Sequence, residues 1–354
     1  MTNVLHYNSS KNPKSKDNIF YVELVSGYTF KQIIDILNVK LKQASFRFDA
    51  SGMFSQNADE LEQLLLKATI PRNKMKKYRC ISTGIQFNID VSHLQKLLTN
   101  VRKKESISLW IEKGTSFLCY EITTKTASDV TGKREVGKIT IDLTQENQSN
   151  YTMPEVDPHS GEKVYPHIVQ LESKEFLRLK KLKSLSSKKF TLEICDTDSI
   201  RLCGGNANMY GSDFIYGEIP KDPSFFYKAD FSTDIINLFS KMQNLSEHTS
   251  FYAPYVDDYP LKIESDNMHA NLVIYIKDEE TVRKNQIERE TERCEKIPDH
   301  ERVDIDELPP KKKSSKSKKA KSKKVVEVED EEVEEEVEEE EVQKKSKKKS
   351  KSKK

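Results

Sequence analysis

No Cys-x-x-Cys pair occurs in this chain, and its five cysteines, Cys80, Cys119, Cys195, Cys203 and Cys294, are odd in number and far apart. That excludes a zinc finger or a disulfide framework as the organising element and leaves reduced thiols of an intracellular protein as the expectation. No stretch approaches the ~18 continuous apolar residues of a membrane span. The polar segment from Met1 to Asp17 lacks the apolar core of a secretory signal, so a soluble intracellular protein is expected. The seven histidines are scattered at positions 6, 93, 159, 167, 248, 269 and 300, none beside a Cys or Asp at ligand spacing. Gly132-Lys133 and Gly204-Gly205-Asn206 lack the full phosphate-loop pattern and read as turns. Asp257-Asp258, between two strand signals, reads as a hairpin turn rather than a metal pair. No catalytic residue, metal site or cofactor is therefore expected, and the chain reads as a non-enzyme.

Net charge is scarce as well. The formal value is +2, but residues 311–354 hold 17 Lys against 12 Asp/Glu, which leaves residues 1–310 with 42 basic and 45 acidic side chains, a net of −3. Any affinity of the body for a polyanion must come from segregated charge.

What the chain does have is a unit that recurs four times: an amphipathic helix followed by two strands that read as a hairpin. The helices are predicted at Phe30–Leu41, Ser92–Val101, from Ser173, and Ser232–Leu245. Their apolar stripes, such as Phe30, Ile33, Ile34, Leu37 and Leu41, face a core. Ser92 is the expected N-cap of the second helix. The opposite stripes carry Lys31 and Lys42 in the first helix, Lys96 and Lys103 in the second, Lys174, Arg178 and Lys181 in the third, and Lys241 in the fourth. A solvated surface explains any one of these faces. Four lysine-bearing faces on one side of a sheet layer would instead form a cationic surface suited to phosphates read without regard to sequence.

Composition divides the chain into a flexible lead-in (1–17), a first body (18–143), a linker rich in Gln, Asn, Ser and Pro (144–163), a second body (164–278) and a charged tail (279–354). Residues 279–300 are expected to form a solvated helix, and the Lys/Ser and Glu/Val blocks beyond to be low-complexity. The lysine blocks fit a nuclear-localisation signal, a nucleic-acid tether or a solubilising tail equally well.

Several stretches stand in a telling order: Gly27-Tyr28-Thr29-Phe30-Lys31, Asp49-Ala50-Ser51-Gly52-Met53, Tyr78-Arg79-Cys80, the run from Ser92 to Leu109, Ser173-Lys174-Glu175-Phe176 with Arg178, Asn237-Leu238-Phe239-Ser240-Lys241, and Tyr259-Pro260-Leu261-Lys262-Ile263-Glu264. Through them, and without a gap from Ser92 to Leu109, residues 20–278 resemble the proliferating cell nuclear antigen (PCNA) family of DNA sliding clamps. The resemblance implies an α+β clamp fold of two similar domains, each with helices on one side of antiparallel sheets. Three chains would close into a ring around duplex DNA, with Lys31, Lys96, Arg178 and Lys241 facing it. It further implies a groove for short motifs of DNA polymerase and other replication proteins, built from Tyr151, Met153 and Pro154 of the linker with Ile276 and Lys277. Subunit contacts fall, by position, at Arg134 to Ile141 and Ser199 to Asn206. The function so implied is that of a processivity factor, assembled by a clamp loader at the nuclear or viral site of DNA replication. A clamp-like checkpoint ring subunit, or a monomeric polymerase accessory binding DNA by one basic face, is the alternative.

Overall fold

The structure is a computed structural model that describes residues 18–81, 84–124, 134–144, 153–185, 188–196, 199–206, 210–256 and 259–295. In chain order, β1 (Asn18–Leu24), α1 (Gly27–Leu37), β2 (Gln43–Asp49), β3 (Gly52–Ala58), β4 (Leu64–Pro71), a 3₁₀ turn (Arg72–Lys74), β5 (Met75–Cys80), β6 (Ile85–Asp90), α2 (Val91–Leu98), β7 (Glu105–Glu112), β8 (Phe117–Thr124), β9 (Arg134–Thr140) and β10 (Asp142–Thr144) make the amino-terminal half. The carboxy-terminal half follows with β11 (His167–Glu172), a 3₁₀ turn (Ser173–Leu177), α3 (Leu179–Leu185), β12 (Lys189–Cys195), β13 (Ser199–Asn206), β14 (Tyr210–Tyr216), β15 (Phe226–Ser232), α4 (Ile235–Met242), β16 (His248–Ala253), β17 (Leu261–Asp266) and β18 (Asn271–Ile276). A last helix, α5 (Glu279–Glu295), comes after them.

The fourfold unit is present: α1 leads to β2–β3, α2 to β7–β8, α3 to β12–β13 and α4 to β16–β17. The helices are shorter than their apolar stripes suggested. α1 stops at Leu37, where the Asn38 amide still donates to the Ile34 carbonyl, and Leu41 is buried beyond the helix end. Its first turn is capped by Ser26, whose side chain accepts from the Thr29 amide at 3.1 Å. α2 is capped by Asp90 rather than Ser92. The Asp90 carboxylate accepts from the His93 amide at 2.8 Å, which puts Ser92 inside the first turn. The third helix is not one element. Ser173 spends its hydroxyl on a buried hydrogen bond with Thr249 at 2.8 Å, Glu172 makes no cap bond, and a 3₁₀ turn precedes α3. At α4, Asp234 pairs with Lys40 instead of capping, and only Ile235–Met242 is helical.

Three antiparallel sheets result. Five strands run β5-β1-β7-β8-β9, four run β14-β13-β12-β15, and nine run β10-β6-β2-β3-β4-β18-β17-β16-β11. The nine-stranded sheet joins the two halves where β4 pairs with β18, from Leu64↔Ile276 to Thr69↔Asn271. One apolar core extends through both halves, with Phe20, Phe30, Phe46, Phe48 and Phe87 at one end and Phe176, Phe190, Phe231, Phe239 and Phe251 at the other. Each such ring contributes roughly 1.5–3 kcal/mol by leaving water. Gly52 turns the β2–β3 hairpin at φ +131°, and a Cβ there would lie 2.3 Å from the Ile70 carbonyl oxygen, so only glycine fits.

Candidate functional site

Helix packing settles where the basic faces go. α1 packs on α2 and on α4, and α4 packs on α3, so the four helices form one row, α2-α1-α4-α3. Side chains fasten the row: Gln32 of α1 donates to the Asn244 carbonyl after α4, Lys183 of α3 donates to Asn237 of α4 at 3.0 Å, and Lys40 pairs with Asp234 at 3.3 Å. The helical segments carry Lys31, Lys96, Lys174, Arg178, Lys180, Lys181, Lys183 and Lys241 against only Asp35 and Glu175. Positive charge is thus concentrated in this one layer of a body whose net charge is negative.

The individual side chains differ in freedom. Lys96, Lys180, Lys181 and Lys241 are exposed. Lys31 is half-buried and donates to the Thr99 carbonyl at 2.6 Å, where it caps the end of α2. Arg178 is exposed but paired with Glu175 at 3.0 Å, and Lys174 is paired with Glu172. That hydrogen-bonded pair raises the Lys174 ammonium pKa and lowers that of the Glu172 carboxyl. Two expected members lie off the helices. Lys42 follows α1 and meets Glu60 in an exposed ion pair, and Lys103 follows α2, 5.9 Å from the Tyr28 ring. Both departures have one cause: the helices end at Leu37 and Leu98, before the stripe reaches these residues. Lys180 and Lys183 lie off the stripe of Lys174, Arg178 and Lys181 that a single regular helix from Ser173 would present.

The expected partner groove is also redrawn. Tyr151 lies outside the described residues. Met153 is half-buried and Pro154 exposed. Ile276 is fully buried in β18, paired with Leu261 and Leu64, and has no surface to offer. Lys277 donates its amide to the Gln63 carbonyl and lines a cleft of about 1460 Å³ with Leu61, Gln63, Tyr259, β15 and α5. Tyr259 links this cleft to the connection between the halves, since its hydroxyl donates to Asp157 at 3.0 Å. Tyr165 donates to the Pro260 carbonyl at 2.8 Å beside it. The contact strand expected at Ser199–Asn206 is not an edge: β13 lies between β12 and β14, and the open edge is β14.

Burial pushes the Cys119 and Cys203 thiols up to about 11, so both are protonated at neutral pH and poor nucleophiles. Among the described residues no three His, Cys, Asp or Glu side chains gather closely enough to hold a metal ion.

Residues 19–147 match the family model described as proliferating cell nuclear antigen, N-terminal domain. A DNA polymerase sliding clamp of Cenarchaeum symbiosum (strain A) is 27% identical over 88 residues, 25% of this chain and 35% of the relative, so the match spans about a third of that curated relative. The crystal structure of the proliferating cellular nuclear antigen from Entamoeba histolytica superposes with a TM-score of 0.60 at 18% identity, covering 74% of this chain and 99% of that one, a likeness of fold.

Proposed function

Because this chain is a divergent member of the proliferating cell nuclear antigen family, we propose that it is a DNA sliding clamp, a non-enzymatic processivity factor that encircles duplex DNA where DNA is replicated. The observation that carries the reading is a pair of open edges that mirror an internal junction. The strand order β6-β2-β3-β4 of the first half repeats as β15-β12-β13-β14 in the second, and β1-β7-β8-β9 repeats as β11-β16-β17-β18. Within the chain the last strand of one set, β4, pairs with the last of the other, β18. Among the described residues their counterparts β14 and β9 each end a sheet, so that β9 of one copy can pair with β14 of the next. Such a head-to-tail contact closes into a ring when the rotation permits, and three chains is the number typical of the family.

In that ring the helix row supplies the face toward DNA. Long, mobile lysines suit sequence-independent contacts that must slide. Met153, Pro154 and Tyr151, with Lys277 and Tyr259, would receive short motifs of the polymerase and its associates.

Solution mass tests the reading. The intact chain should run as a multiple of the monomer, and Val136→Asp with Ile215→Asp, on the two open edges, should reduce it to one chain with the fold retained. A wild-type monomer would favour an accessory factor that binds DNA by one face. Charge reversal at Lys96, Lys181 and Lys241 should weaken loading onto closed circular DNA, and unimpaired loading would overturn the inner-face assignment.

A further inference from the structure

Along β5, an edge of the five-stranded sheet, and the 3₁₀ turn that leads into it runs a second basic strip. Residues 72–79 carry Arg72, Lys74, Lys76, Lys77 and Arg79 with no carboxylate among them, and all five are exposed. Their places follow from how this segment folds. Met75, Tyr78 and Cys80 turn inward, Met75 as part of the core and the other two packed against it. Register then places Lys77 beside Glu23 and Arg79 beside Tyr21, on the opposite face of β1 from the core residues Phe20, Val22 and Leu24. The bulge at Glu23/Leu24 leaves Lys76 exposed as well. The 3₁₀ turn sets Arg72 over the Tyr78 ring at 5.8 Å and carries Lys74 beyond the strand end. One carboxylate, Glu23, lies within the strip and pairs with Lys76 and Lys77, while Asp49 is taken by Arg47 and Ser51.

Edge lysines that discourage strand pairing account for a charge or two on β5, which ends its sheet. They do not account for Arg72 and Lys74, which lie off the strand, or for a run of a single sign. We propose that this strip is a second nucleic-acid contact, outside the ring, that holds the phosphate backbone of a DNA segment not threaded through the channel. The identity of the polyanion rests on the clamp reading. The chemistry is charge complementarity: alternate residues of an extended strand stand about 6.8 Å apart on one face, a spacing that follows consecutive phosphates. The aromatic ring of the segment, Tyr78, packs against the core, so no base-stacking platform is built and binding is blind to sequence.

The test uses the full chain and two probes, a linear duplex and a single strand of the same length, with binding measured across a salt series. Arg72→Gln/Lys74→Gln/Arg79→Gln should weaken binding of at least one probe about tenfold and flatten the log–log salt dependence by about two, as expected for lost phosphate contacts. Which probe responds identifies the strand held. Lys74→Glu alone, at an exposed turn position, repeats the test if the triple variant melts early. Unchanged affinity and slope in these variants, while Lys96→Gln/Lys181→Gln/Lys241→Gln binds more weakly, overturns the outer strip and leaves the clamp intact. No change in either set defeats the clamp reading too. If the strip variant loses only poly-glutamate binding, the face takes acidic protein and the proposal falls.

Discussion

The first and third helical segments occupy equivalent places in the two halves and were built to different ends. α1 has eleven residues, a serine cap and eight buried residues, and its one lysine is tied to a backbone carbonyl. The third segment breaks into a 3₁₀ turn and a short helix, has no cap at Glu172, and exposes Lys174, Arg178, Lys180 and Lys181. Lysines packed at successive positions repel one another and cannot be buried, so the segment with the most positive charge forms the poorest helix. Fold strength and surface charge have been allotted to different copies of one unit.

The sharpest way to probe that division is to empty the core beneath each segment. Phe30→Ala under α1 should cost about 3–5 kcal/mol in urea unfolding, and Phe176→Ala in the third segment the same, because both rings are fully buried. A much smaller cost for Phe176 would mean that this segment contributes charge and little else.

Acid titration compares the halves through their paired carboxylates. Burial alone would raise the Glu23 pKa, but hydrogen bonds from Lys76 and Lys77 outweigh it and hold it below the ordinary value. Burial likewise opposes, and bonds from Lys189 and Thr191 overcome it, at Asp230 in the second half. With folded values below unfolded ones, both groups stabilise the fold near neutral pH. That contribution starts to fade near the unfolded value of about 4 and is lost as pH falls through the folded value. Glu23→Gln should therefore flatten the acid limb of the stability–pH curve and lower stability at pH 7. A parallel curve would show that the pair adds nothing. The smallest effect is at the caps. Ser26→Ala should cost about 1 kcal/mol, whereas Glu172→Ala, which removes no cap bond, should stay within about 0.5 kcal/mol.

Much of this was legible in the residues. The stripes of Phe30, Ile33, Ile34 and Leu37 and of Ile235, Ile236, Phe239 and Met242 located α1 and α4 and their buried faces. The alternation of Leu64, Leu66, Ala68 and Ile70 marks β4 just as plainly once it is sought, since side chains of a half-buried strand point in and out by turns. Other features had no local signal. Gly204, Gly205 and Gly211 give β13 and β14 almost no pattern, so the true edge was displaced by one strand. Lys42 and Lys103 continue helical spacing past ends that Leu37 and Leu98 impose, because buried Leu41 and Val101 mimic one more turn.

By itself the sequence determined the repeated helix–hairpin unit, the core positions and the neutral body, since periodicity and composition act over a few residues and need no distant partner. Only the tertiary structure decided which strands end a sheet, that α1 and α4 meet to align four helices into one row, and that Ile276 is sealed inside while Arg72, Lys74, Lys77 and Arg79 stay exposed along a sheet edge. Those outcomes depend on pairings between residues some two hundred positions apart, such as Leu64 with Ile276. Local chemistry cannot specify such pairings until the core has chosen among the possible registers.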